Sequence, residues 1–200
     1  MADTIIAKFT QGEASNHRLP AYEGSQSIEG IARSIQLVGH FLVTGSVRRR
    51  YPFSDDLRLF ITPPRAGSFD AIFEIITSPT ALAIGGGLAS GITGNLLTDF
   101  LKLTFRRAIG QSDPKVSSTV EKIEEARPGD TDALVDAIEP SVRRAHSVIN
   151  HGAGNVVIIS GSDNLVKFDA VSKRYIETSH TSDEDETLAV SIGSFNVNSG

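Results

Sequence analysis

The sequence predicts an α+β domain, a mostly antiparallel sheet with a long amphipathic helix and a glycine-rich helix packed on it. Three observations carry this. A strand-like run near the N-terminus precedes a stretch of helical periodicity. Strand-like runs then follow across links too short for parallel crossovers, which need a dozen residues or more. Last, Ser78-Pro79 places a capping serine and a first-turn proline before a long uncharged segment. Two hundred residues at 40% hydrophobic content suffice for one good-sized core.

Taken in order, "TIIAKFT", Thr4 to Thr10, reads as a strand by its β-branched content, and "QGEASNHRLP" as a loop. From Ala21 to Thr44, Ile28, Ile31, Ala32, Ile35, Val38 and Leu42 recur at spacings of three and four, one face of a helix that Gly45 should stop. "SVRRRYPF", "DLRLFITPP" and "SFDAIFEIIT" read as a three-stranded meander. A helix is expected from Ser78 through the glycines to Gly110, with Arg106 and Arg107 favourably placed at its C-terminal end. At ~1.5 Å per residue it would be ~45 Å long, so a break near the glycines is expected. "TVEKIEEA" reads as a short helix. "RPGDTDALVDAIEPSVRRAHSVINHG" reads as a longer one that Pro140 should kink or split at Glu139. "NVVIIS" is a buried-type strand, and "LVKFDAVSKRYIE" either pairs with it or begins a linker.

These elements place an α+β domain over residues 1–177 and an acidic linker over 178–187, with four consecutive acids from Asp183 to Glu186. Residues 188–200, "LAVSIGSFNVNSG", alternate like strands and read as the start of a second β domain or an added hairpin.

The net charge of -5 is uneven. Met1 to Ala108 holds 11 Lys and Arg against 9 Asp and Glu, whereas Ile109 to Gly200 holds 8 against 15. The small basic surplus gathers partly at Arg48, Arg49 and Arg50, so nucleic acid is not the expected partner; a solvated strand end is the plainer reading. With Lys102, Arg106 and Arg107 these arginines form a candidate contact for an anionic partner. No cysteine is present, which removes disulfides, thiolate metal sites and a cysteine nucleophile and fits a reducing cytoplasm. The N-terminus shows no secretory signal pattern.

"AIGGGLASGITGN", Ala83 to Asn95, has three readings. As a phosphate loop it lacks the preceding strand, the third glycine and any Gly-Lys-Ser/Thr, so no cofactor is expected. As a membrane segment, Ile75 to Thr98 carries no charge over 24 residues but is interrupted by polar residues and five glycines; membrane association is the alternative it supports. As a helix it lines Ala83, Gly87 and Gly91 beside Gly86, Ser90 and Gly94, a face of small residues that another backbone can approach closely.

Catalytic patterns are poor. His146 and His151 are five apart, off the spacing of a helical metal pair, and His40 beside the apolar stripe reads as a core or edge histidine. No Gly-x-Ser-x-Gly elbow is present, and Asp55-Asp56 reads as turn chemistry. No catalytic or metal residue is assigned.

Taken together, "SIEGIARSIQLVGHFLVTGSVRRRYPFSDDLRLFITPPRAGSFDAIFEI" and "DALVDAIEPSVRRAH" resemble an uncharacterised family of bacterial proteins in which an N-terminal α+β domain precedes a small β-barrel. The resemblance implies a truncated two-domain protein, bacterial or phage-related, and transfers no functional residue. The function expected is a non-enzymatic binding or self-assembly module of a bacterial multicomponent system, a phage-defence system by extension. Such a module acts as a homo-oligomer or beside a partner protein. The alternatives are a membrane-active effector inserting residues 75–98 and a nucleotide-binding sensor or enzyme.

Overall fold

Strand β1, Ala2–Thr10, lies at the centre of a five-stranded sheet because both of its edges are paired, antiparallel, with β3 (Asp70–Thr77) on one side and β4 (Asn155–Ser160) on the other. The edges are β2 (Leu57–Thr62), joined to β3, and β5 (Asp163–Phe168), joined to β4, giving the order β2-β3-β1-β4-β5. The computed structural model describes residues 2–63, 69–78 and 94–178. The α+β class is as the sequence predicts.

Period-two alternation sorts the sheet faces. Ile5, Ala7 and Phe9 of β1 are buried, as are Ala71, Phe73 and Ile75 of β3 and Val156 and Ile158 of β4. Thr4 and Lys8 are exposed on the opposite face. In β5 a register shift opposite Ile158 and Ile159 lets the adjacent residues Leu165 and Val166 both be buried.

The helices pack on the buried face. Helix α1 runs Ala21–Thr44 and ends at Gly45 in the left-handed conformation, φ 68°, as its sequence implies. Helix α2 is described over Gly94–Ala108, α3 over Ser118–Ala126 and α4 over Asp130–Ala145. The segment after β5 is a helix, α5, Ala170–Glu177, whose first turn is closed by a capping box between Asp169 and Ser172. Phe41 of α1 meets Phe100 of α2 at 5.7 Å between ring centres, and Phe105 of α2 meets Phe168 of β5 edge-on at 5.6 Å.

Helices α1 and α4 approach most closely through small residues. Ser27, Gly30 and Ser34 lie on one face of α1 and are buried. Ser27 donates to the Ala145 carbonyl at 2.5 Å, and a Cβ at Gly30 would sit 2.5 Å from the Ala145 amide nitrogen. That spacing lets backbone meet backbone.

Three expectations are corrected. Residues 46–56 form no strand; "SVRRRYPF" is a loop with Arg48, Arg49 and Arg50 all exposed, so the meander reduces to the β2–β3 hairpin. Pro140 does not split α4, because Pro140 and Asp136, whose carbonyl it leaves without an amide, both face solvent. The uncharged run 75–98 does not begin as helix, since Ile75, Ile76 and Thr77 belong to β3. Among the described residues no helix is long and apolar enough to cross a membrane. Ala83, Gly86, Gly87, Ser90 and Gly91 lie outside the described residues, as do the linker from 179 onward and residues 188–200; Gly94 is the first residue of α2.

Candidate functional site

The loop after Gly45 is fixed to α1 at three points, by side chains spaced three and four apart. Arg33 donates to the Arg49 carbonyl at 3.0 Å, Gln36 accepts the Tyr51 hydroxyl at 2.8 Å, and His40 Nδ1 accepts the Ser54 amide at 2.9 Å. The helical repeat therefore holds successive parts of the loop against one face of α1. Tyr51 packs on Phe53 with ring centres 4.4 Å apart, and Phe53 meets the His40 ring at 5.8 Å.

Helix α1, this loop and β2 enclose a cleft of about 320 Å³, at the small end of the range for ligand sites. Its lining includes Gln36, His40, Tyr51, Asp55, Arg58 and Phe60. His40 is 6% exposed. Burial holds its pKa below the ordinary histidine value, and nearby Arg48 lowers it further. Because the Ser54 amide can only donate, the neutral ring carries its proton on Nε2, which makes no hydrogen bond among the described residues. The cleft thus offers hydrogen-bonding groups with one carboxylate, Asp55, and one guanidinium, Arg58, in its lining. Arg48, Arg49, Arg50 and Arg58 are exposed, and among the described residues none of them forms an ion pair.

The cleft is bounded on one side by Leu57, Arg58, Leu59 and Phe60 of β2. Ile61 is 59% exposed on the helix side of the sheet, and Phe60 is 45% exposed on the other. Among the described residues β2 has a strand neighbour on one side only. Edge strands with exposed apolar residues are ready templates for pairing.

The other basic candidates belong to a different place. Arg107 of α2 bonds Asp113 twice, at 2.7 and 2.9 Å, and reaches Glu124 of α3 at 2.9 Å and Asp132 of α4 at 3.4 Å. Those carboxylates, Asp113 foremost, raise its pKa, so its charge is already matched. Lys102 and Arg106 lie half-buried on the same helix. None of the three lines the cleft beside the loop.

A serine–histidine pair also occurs, at His146 and Ser172. His146 Nδ1 donates to the Val142 carbonyl at 2.7 Å, which leaves Nε2 to accept the Ser172 hydroxyl at 2.9 Å. Both are buried, at 1% and 5% exposure, under Phe168, so the pair ties α4 to α5 rather than facing a substrate. In the cleft, His40 takes the amide of Ser54 while the Ser54 hydroxyl donates to Asp56 at 3.3 Å; among the described residues no histidine bonds that hydroxyl. Among the described residues no group of three or more His, Asp or Glu gathers as a metal site needs.

Sequence reasoning named Arg48, Arg49, Arg50 and His40 but missed Gln36, Tyr51, Phe53, Arg58 and Phe60. The available signal was "RRRYPF", aromatic residues directly following three arginines.

Residues 5–177 match the family model described as a domain of unknown function, DUF7946. No curated protein and no solved structure matches the chain. The chain belongs to the DUF7946 family, whose match ends where α5 ends.

Proposed function

We propose that this member of the DUF7946 family is a non-enzymatic binding module that self-assembles through the α1–loop–β2 face. The observation that carries the reading is the loop itself. The segment that carries three exposed arginines and Tyr51, 63% exposed, is held on α1 at the Arg49 carbonyl, the Tyr51 hydroxyl and the Ser54 amide, next to a strand that among the described residues is paired on one side only. A preorganised loop loses less entropy on association than a floppy one, and aromatic and arginine side chains are the residue types that anchor interfaces.

The test is sedimentation velocity of the full chain from low to high micromolar concentration. Concentration-dependent association is expected, weakened at least tenfold in Arg48→Glu/Arg49→Glu/Arg50→Glu and reduced by salt, since exposed ion pairs contribute ~0.2–1 kcal/mol each and are screened. Association indifferent to this reversal contradicts the reading.

A further inference from the structure

We infer that the cleft between α1, the loop and β2 binds a planar heteroaromatic anion, of which a nucleoside monophosphate is the simplest that meets its chemistry. Such binding is separate from self-assembly and does not depend on it.

The first observation is a buried donor with nothing to bond. His40 is 6% exposed, lines the cleft and has its Nδ1 committed to the Ser54 amide. Its Nε2–H is therefore held in one orientation, and no group takes it among the described residues. Nor is that nitrogen sealed in protein, because the enclosed side-chain atoms without partners are Asp70 Oδ1 and Arg106 Nε. A rigid donor, mostly out of water and open to a cleft, is the kind of placed polar group that orients a ligand. Burial and nearby Arg48 both lower the pKa of the ring, so it meets an acceptor as a neutral donor.

The second is the strand edge. Ser78 donates its amide to the Asp56 carbonyl at 2.8 Å, one step before the Leu57–Thr77 pair. Bonds in an antiparallel ladder alternate, so Arg58 and Phe60 bond β3 while the amides and carbonyls of Leu57, Leu59 and Ile61 turn outward. Leu59 lies in the lining of the cleft, and its outward groups have no partner among the described residues. One residue thus presents a donor and an acceptor side by side, the complement of a heterocycle that carries both on one edge.

The third is the rest of the lining. Tyr51, Phe53 and Phe60 supply ring faces, and nucleobases stack on such side chains. Arg58 is exposed and forms no ion pair among the described residues, which suits an attached phosphate. Asp55 works against a bare anion but accepts from an exocyclic amine or a ribose hydroxyl, donors that a nucleotide has. At about 320 Å³ the cleft suits one base rather than a stacked run, which favours a free mononucleotide over a nucleic-acid strand.

The experiment titrates the full-length protein with AMP, GMP, CMP and UMP in turn, with inorganic phosphate, and with a single-stranded oligonucleotide. Calorimetry reads the affinity, and the NMR signals of His40 Nε2 and the Leu59 amide read the place. At least one mononucleotide is expected to bind and to shift both signals. Arg58→Gln and Phe60→Ser, both at exposed positions, are expected to weaken it roughly tenfold and roughly fivefold at an unchanged melting temperature. The assignment is overturned if no mononucleotide binds, if inorganic phosphate shifts both signals equally, or if the oligonucleotide binds and the mononucleotides do not. Sedimentation velocity keeps the two readings apart: a chain that binds a mononucleotide without associating upholds the cleft and refutes the assembly face, and a chain that associates without binding one does the reverse.

Discussion

The Ser172 hydroxyl lies 2.9 Å from His146 Nε2, so the helix that closes the domain is bonded to the helix beneath it through a neutral imidazole. Burial drives the His146 pKa down to about 4, and Lys173 pushes in the same direction. The unfolded chain binds the proton near pH 6.5 and the folded chain near 4, so stability falls as pH drops through that window and is level above it. The expected loss is on the order of 3 kcal/mol. Urea unfolding at pH 7 and pH 4.5 measures it, and His146→Gln should flatten the dependence; an unchanged pH profile in that variant would refute the assignment.

Gly30 sets the distance between α1 and α4. A methyl group there meets backbone atoms of Ser141 and Ala145 rather than a flexible side chain, so the helices must separate. Gly30→Ala is expected to cost about 1–3 kcal/mol despite alanine's better helix propensity. Thermal unfolding decides it: a raised melting temperature would show that the close approach is dispensable.

Gln11 precedes the 3-10 turn Gly12–Asn16 with φ 65° and ψ 168°, a region populated almost wholly by glycine. The turn is held there because Ala14 donates to the Gly152 carbonyl at 2.9 Å and Gly154 to the Thr10 carbonyl at 3.0 Å. Gln11→Gly should relieve the strain and stabilise the protein by about 1 kcal/mol. Equilibrium unfolding showing a loss instead would mean that the glutamine side chain contributes more than its backbone costs.

Arg107 joins α2, α3 and the loop at Asp113. Arg107→Ala should lower stability by about 1–2 kcal/mol, less in high salt, and Arg107→Lys should recover only part because one ammonium cannot match two oxygens of Asp113 at once. Denaturation at two ionic strengths separates this from lost packing, which salt would not touch.

What was legible in the sequence was periodic. Helix α1 and its stop at Gly45, strand β1, helices α3 and α4, and strand β4 all carry their own pattern over six or more residues. Residues 46–53 read as a strand because Val47, Tyr51 and Phe53 among arginines imitate alternation. What fixes the loop are bonds from Arg33, Gln36 and His40, fourteen to sixteen residues away, and no local pattern announces them. The candidate site was half visible for the same reason: the arginines stand together in the chain, whereas Gln36, Arg58 and Phe60 join them only after folding. Small-residue packing was sought in the glycine stretch, yet the described structure places one such contact at Ser27, Gly30 and Ser34, spacing three and four, which the sequence also contains.

The central claim, that the α1–loop–β2 face is where copies of this chain meet, is tested most directly by amide hydrogen exchange on the full-length protein at dilute and at high concentration. Slowed exchange at high concentration confined to residues 46–62 is the expected result. Protection that appears in 83–94 and leaves 46–62 unchanged would contradict it and return the assembly to the small-residue segment.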